Sequence, residues 1–295
     1  MDRPPQRPAA WQERLVARLL NTLAPAHAGP EGGSPPPALL PYEKLSIERR
    51  RGGEKLSGTW YPAYVGPRGA VLLLHPWTRE GQAYFHRHGR LDALRAAGYH
   101  ALTLDFPGFG TTPSAVEFDD RTVDDGLRLL ERRSDGLELF VWGVSWGGLW
   151  AHLALTKTDQ VAGAVFEDVP CHAFDWLRRS GRLPRALDFI LRRLFAGPQS
   201  YLDVREHALC LDLGAVSYLS GSRDSMVRPE ETRRLAVRAQ GSSNVVQGAG
   251  HLEAITHANR AVLRTALETF ERASDNSTTA VLVPPSPAEP AAATA

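Results

Sequence analysis

Leu137-Glu-Leu-Phe-Val-Trp-Gly143-Val-Ser145-Trp-Gly147-Gly148 carries an apolar, β-type run straight into a helix-forming one, with a serine at the changeover. A chain that doubles back in so few residues leaves little room beside its backbone. Glycines two positions before and two after the serine supply that room. The turn puts the Ser145 hydroxyl at a helix N-terminus, where the helix dipole favours developing negative charge. The amide N–H of Trp146 is then an expected donor to an oxyanion. A glycine-rich chain can produce Gly-x-Ser-x-Gly by chance, but its place directly behind an apolar strand argues against chance. Ser145 is the expected nucleophile.

Outward from this turn, short apolar or β-branched runs alternate with longer helical stretches, the pattern of a largely parallel sheet wrapped by helices. Residues 42–48 and 55–62 read as an opening antiparallel hairpin. Core strands are expected at 70–75, 100–106, 137–144, 161–169, 215–220 and 244–247, and helices at 82–97, 120–133, 146–157, 229–239 and 252–272. The expected fold is α/β, with a mostly parallel sheet of about eight strands flanked by helices.

The rhythm breaks at about 171–207, where two helical pieces stand between one strand and the next, as a lid insertion would. Leu183, Leu187, Ile190, Leu191 and Leu194 form an apolar stripe there, and Arg178, Arg179, Arg182, Arg185, Arg192 and Arg193 a basic face. The arginines read first as a solvated helix face, and second as a feature that attracts anionic substrates. Residues 1–41 divide into an amphipathic helix over 10–23, marked by Trp11, Leu15, Leu19 and Leu23, and a Pro/Gly-rich linker. The catalytic domain is expected at 42–272. A Ser/Thr/Ala/Pro-rich tail at 273–295, with little to bury, is expected to be disordered.

A serine hydroxyl is a poor nucleophile until a general base takes its proton. His251, in Gly248-Ala-Gly250-His251-Leu-Glu253, follows the last expected strand and is the favoured base. His152 and His257 lie inside helical stretches, and His86, His88 and His100 precede the serine. His172 and His207, in the insertion, are weaker alternatives. The base needs an acid to fix its tautomer and stabilise its cation. Asp224, in Ser220-Gly-Ser-Arg-Asp224, stands behind a strand between serine and histidine; Asp168, in Phe166-Glu-Asp168-Val-Pro170, is its rival. A second oxyanion donor should come from the loop after the first parallel strand, Val71-Leu-Leu-Leu-His75-Pro76-Trp77. Proline has no N–H, so the amide of Trp77 is the expected donor. Asp105-Phe-Pro-Gly108-Phe-Gly110 reads as a structural turn.

Bulk properties exclude several classes. The 295 residues carry 34 basic and 33 acidic side chains, a formal net charge of +1, so nucleic acid is not an expected partner. Nowhere does an apolar run approach the ~18 residues of a membrane span, and the N-terminal stretch does not read as a signal peptide. The two cysteines, Cys171 and Cys210, read as free thiols of a reducing compartment, with a bridge between them left open. A soluble, cytoplasmic protein is expected. The sequence holds no paired metal-ligand spacing and no phosphate-cradling Gly-x-x-x-x-Gly-Lys-Ser/Thr pattern, so neither metal nor cofactor is expected.

These residues together resemble the α/β-hydrolase superfamily over roughly 42–272. The Gly-Val-Ser145-Trp-Gly turn, the Gly-Ser-Arg-Asp224 loop and the Gly-Ala-Gly-His251 loop are similar to that family's three triad positions, and Asp105-Phe-Pro-Gly-Phe-Gly to its Asp-x-x-Gly-x-Gly turn. His75-Pro76 departs from the His-Gly of many members. The resemblance implies attack of Ser145 on an ester-like carbonyl of a small-molecule substrate, with His251 relaying the proton, Asp224 orienting it, and an acyl-enzyme released by water. Enzymes of this fold that use an aspartate nucleophile are disfavoured by Ser145. A carboxylic ester hydrolase is the leading expectation; thioesterase, peptidase and acyltransferase share the triad, and a non-catalytic ligand-binding protein on this fold is the alternative of another class.

Overall fold

A computed structural model describes residues 4–23, 35–50, 53–113, 118–194 and 200–282. Eight strands form one sheet in the order β1-β2-β4-β3-β5-β6-β7-β8. They are β1 (Glu43–Ile47), β2 (Leu56–Tyr61), β3 (Gly69–Leu74), β4 (Tyr99–Leu104), β5 (Leu139–Val144), β6 (Val161–Glu167), β7 (Ala215–Gly221) and β8 (Ser242–Val246). β1 pairs antiparallel with β2, and β2 with β4; every pairing from β4 through β3 to β8 is parallel. The opening hairpin and the eight-stranded, mostly parallel sheet stand where the sequence puts them, each strand within about two residues of its expected ends.

Helices cover both faces: α1 (Ala10–Leu23), α2 (Arg90–Ala96), α3 (Asp120–Ser134), α4 (Trp146–Leu155), α5 (Ala173–Arg179), α6 (Arg185–Leu194), α7 (Val204–Ala208), α8 (Pro229–Arg238), α9 (Ala254–His257) and α10 (Asn259–Leu282). Strand β3 shows why both faces are apolar. All six of its residues are buried. Alternate side chains point opposite ways, so Ala70, Leu72 and Leu74 join the core under α1, α3 and α4, while Val71 and Leu73 join the core under α2 and α10. Each fully buried leucine contributes about 1.5–3 kcal/mol relative to exposure.

Two expected helices are broken. The stretch 82–97 is a 3-10 helix, Gly81–His86, followed by α2; between them His88 and Gly89 hold φ of 61° and 72°, which an α-helix cannot accommodate. Near the C-terminus, α9 and α10 divide the stretch that begins at 252, and α10 continues past the expected boundary at 272 to Leu282. It does so because Ala273 is fully buried beside Gly163 and Gly214, and Asn276 donates to the Gly214 carbonyl at 2.6 Å. Residues 283–295 of the expected tail, and 24–34 of the expected linker, lie outside the described residues.

The insertion between β6 and β7 holds α5, α6 and α7. Its anchors are polar as well as apolar. Arg179 donates to the carboxylate of Glu231 on α8 at 2.6 Å and to the Met226 carbonyl at 2.8 Å, while Leu177 and Leu183 are buried. On α6, Phe189 is 65% exposed; the side chains of Leu187, Ile190, Leu191, Arg192 and Leu194 are outside the described set.

Candidate active site

Strand β5 ends at Val144 and α4 begins at Trp146, leaving Ser145 alone in the turn. Its φ of 47° and ψ of −110° are unfavourable for a residue with a side chain. The surroundings over-determine that conformation: the Ser145 N–H donates to the Glu167 carbonyl at 2.7 Å, and its own carbonyl accepts from Leu149 at 3.0 Å. A Cβ on Gly147 would run into the carbonyl oxygens of Leu74 and His75, and one on Gly143 would lie 2.7 Å from Gly148 Cα. Glycine is required at both places by close backbone approach, as the sequence pattern implies.

His251 follows β8 on a turn and meets Ser145 from the other side of the sheet edge. Its Nε2 stands 3.0 Å from Ser145 Oγ, and its Nδ1 stands 2.7 Å from Asp224 Oδ2. An ionised carboxylate only accepts, so Nδ1 carries the hydrogen and Nε2 is left to accept from the serine hydroxyl. Asp224 is held in turn, its Oδ1 accepting the Met226 and Val227 N–H groups at 2.7 and 2.8 Å. Burial pulls the His251 pKa down, but the hydrogen bond and charge of Asp224, with help from Asp168 and Glu167, raise it above the usual histidine value.

Asp168, the rival acid, takes a different place. It is fully buried with φ of 52°, its Oδ1 accepting the Gly221 N–H at 3.3 Å and its Oδ2 the Leu252 N–H at 2.8 Å. Burial pushes its carboxyl up to about 8, with Glu167 and Asp224 pushing the same way and His251 opposing. The carboxyl therefore ties the end of β6 to the end of β7 and to the residue after His251. Next to it, Glu167 forms a fully buried ion pair with Arg90 at 2.8 Å. Neither role is visible in Phe-Glu-Asp-Val-Pro alone; an acidic pair directly behind an apolar strand was the available signal.

The loop after β3 is locked by His75. The Phe106 N–H donates to its Nε2 at 3.0 Å, so Nδ1 carries the hydrogen and donates to the Pro76 carbonyl at 2.8 Å. Burial pushes this imidazole down to about 4, which keeps it neutral near pH 7. Asp105 closes the neighbouring turn by accepting the Gln82 N–H at 2.8 Å. The loops of Trp77 and Trp146 face each other: their rings are 4.8 Å apart and perpendicular, and Trp176 of the insertion lies 5.9 and 5.4 Å from them. Trp77, in the loop after β3, and Trp146, the first residue of α4, thus stand ring against ring next to the turn of Ser145.

Among the described residues, one group has the spacing of metal ligands: Asp168, Asp224 and His251. Its atoms are engaged by the contacts above, His251 between Ser145 and Asp224, and Asp168 by two backbone N–H groups. Cys171 and Cys210 are free thiols. His152, His172 and His207 are buried and make local contacts, to the Gly148 carbonyl, the Phe174 N–H and the Tyr201 carbonyl respectively. None joins Ser145. No helix among the described residues is long and apolar enough to cross a membrane.

Comparison with known proteins agrees with this architecture. An esterase of Pyrococcus furiosus, Pf2001, superimposes with a TM-score of 0.66 at 19% identity, over 82% of this chain and 95% of that one. A thermophilic esterase from Thermogutta terrifontis gives 0.56 at 18% identity, over 78% and 99%. The acylaminoacyl peptidase of Pyrococcus horikoshii gives 0.59 at 12% identity, over 78% of this chain and 41% of that one. In sequence, zebrafish (Danio rerio) protein ABHD14A is 39% identical over 71 residues, 22% of this chain, and the match spans only 24% of that protein. The alpha/beta hydrolase family matches residues 71–265, from the first residues of β3 into α10 and across every element that carries the site. The chain belongs to the alpha/beta hydrolase family.

Proposed function

We propose that this protein hydrolyses a carboxylic ester of a small molecule through an acyl-enzyme. Ser145 Oγ attacks the carbonyl carbon while His251 Nε2 takes the hydroxyl proton, and the imidazolium that forms is stabilised by Asp224. The carbonyl oxygen becomes an oxyanion held by the Trp146 and Trp77 amides. As the tetrahedral intermediate collapses, the alcohol leaves with the proton from His251. Water then attacks the acyl-serine with His251 again as base, releasing the acid and restoring Ser145. The helical insertion acts as a lid over this site, and the two free thiols support a reducing, cytoplasmic setting.

One observation carries the reading: the unbroken chain Ser145 Oγ, His251 Nε2, His251 Nδ1, Asp224 Oδ2, with contacts of 3.0 and 2.7 Å. That two of the similar structures are esterases supports the ester over other acyl groups. The test is labelling by a fluorescent serine-directed phosphonate. Wild type should label and Ser145→Ala should not; equal labelling of both removes the proposal. Products formed with an added alcohol or amine separate hydrolysis from transfer.

A further inference from the structure

The N-terminal segment, the end of β1 and one face of α3 meet over a cavity of about 460 Å3. Its lining includes six cations: Arg7, Arg49, Arg50, Arg121, Arg128 and Lys157. A chain of net charge +1 has no general surplus that would crowd so many together. Three carboxylates are shared among most of them. Glu13 holds Arg7 at 2.8 Å and Arg121 at 2.9 Å; Asp120 holds Arg7 at 2.6 Å and Lys157 at 2.8 Å. Asp125 is divided between Arg128 and, at 3.9 Å, Arg49.

The compensation is uneven. Arg7 sits between two carboxylates and above the Tyr201 ring, 5.5 Å from its centre. At the other end, burial and the neighbouring Arg121 hold the Arg49 guanidinium below its ordinary value despite Asp125 and Asp119. Burial also pushes the carboxyls of Asp119 and Asp124 up to about 7 and about 6, so near neutrality Asp119 carries only part of a negative charge while Asp124 remains largely ionised. The six lining cations still outnumber the carboxylates beside them, Glu13, Asp119, Asp120, Asp124 and Asp125.

We propose that this cavity binds a small molecule bearing a phosphate monoester or diphosphate, with Arg49, Arg50 and Arg128 as its phosphate ligands. A planar guanidinium offers paired donors that match phosphate oxygens, and Arg49 and Arg128 are half-buried beside the exposed Arg50. The volume falls in the range of small-molecule pockets, roughly 300–1,000 Å3, so it accommodates more than a bare phosphate. Asp124 and Asp125 line the same space and present acceptors to hydroxyl or amine groups on the rest of the ligand. The site is independent of the ester-hydrolysis reading, because none of its lining residues belongs to the Ser145 chain.

Titration calorimetry of the full-length protein with inorganic pyrophosphate, against sodium chloride at matched ionic strength, tests the proposal. Saturable binding is expected with pyrophosphate alone. Arg50→Gln combined with Arg128→Gln should weaken it by about tenfold or more, equivalent to ~1.4 kcal/mol, with Ser145 labelling unchanged. Should the pair of changes unfold the protein, Arg50→Glu, a charge reversal at an exposed residue, must weaken binding in the same direction. Pyrophosphate indistinguishable from chloride, or a folded variant that binds as wild type does, overturns the proposal. Vesicles with and without phosphatidic acid assign the source: sedimentation with phosphatidic acid that Arg50→Glu abolishes puts the phosphate on a lipid headgroup, and protein left in the supernatant puts it on a soluble compound.

Discussion

Asp168 Oδ2 accepts the Leu252 N–H at 2.8 Å, so a carboxyl at the end of β6 fixes the residue next to His251 across 84 positions of sequence. Its other oxygen reaches Gly221, three residues before Asp224. One side chain thereby ties the loop of Asp224 to the loop of His251. Asp168→Asn replaces one accepting oxygen with an NH2 group that faces a backbone N–H. A buried N–H left unsatisfied costs about 1–3 kcal/mol, and a displaced base costs up to about 100-fold in rate. The expected result is a fall in kcat with KM little changed, alongside a lower melting temperature. The raised carboxyl adds a pH signature. Between the ordinary aspartate value and about 8, the folded state holds a proton that the unfolded state has lost, so this contribution to stability drains away as pH rises. The stability gap between wild type and variant should narrow over that window in urea titrations at several pH values.

In the proposed reaction His251 must be neutral to accept the Ser145 proton, and its pKa lies above the usual ~6.5. Ester hydrolysis should therefore fall on acidification with a midpoint above that value. Asp224→Asn removes the main cause of the rise and the acceptor that fixes the tautomer. The acidic midpoint of kcat/KM should move down, and kcat should drop by about 10⁴-fold. A pH-rate profile in which Asp224→Asn leaves both untouched would detach Asp224 from the reaction.

Glu167 and Arg90 are both fully buried and bonded at 2.8 Å. Glu167→Gln leaves the guanidinium charged without its counter-ion, at a cost of about 3–5 kcal/mol. Replacing both at once, Arg90→Met with Glu167→Met, removes the stranded charge and should cost much less. Chemical denaturation of the three proteins decides it; equal losses would mean that packing, not charge, dominates there.

Gly147 is packed directly against backbone, with the Leu74 and His75 carbonyl oxygens where a side chain would go. Gly147→Ala forces the start of α4 away from the end of β3, and overpacking of this kind costs about 1–3 kcal/mol. Because the displaced groups are the turn itself and the His75 loop, phosphonate labelling of Ser145 should slow even in the fraction that remains folded.

Much of this was written locally. Gly143, Ser145 and Gly147 declare a strained turn because steric demands act on neighbours in the chain, and the runs behind Asp224 and His251 declare strand ends for the same reason. What escaped is what depends on partners distant in sequence. The clamp by Asp168 exists only because Gly221 and Leu252 come to it, 53 and 84 residues on. Likewise α10 outruns its expected end because Ala273 finds Gly163 and Gly214, and the compositional bias of residues after 272 gives no hint of that contact. The insertion's arginines read as a solvated face, yet Arg179 proves to be a tether, because Glu231 lies across a fold that no local pattern encodes. Arg7, Arg49, Arg121 and Lys157 are likewise too far apart in the chain to look like one cluster.

The distance along the chain from Ser145 to His251 is 106 residues. On a ribosome adding about 5–20 residues per second, roughly 5–20 s pass between synthesis of the two. A nascent chain can wind its serine onto the β5–α4 turn during that interval, but the imidazole of His251 does not yet exist. On the proposed mechanism reactivity thus arrives last, with β8 and the loop behind it, and a chain stopped short of residue 251 should stay silent toward the phosphonate however well its first strands have paired.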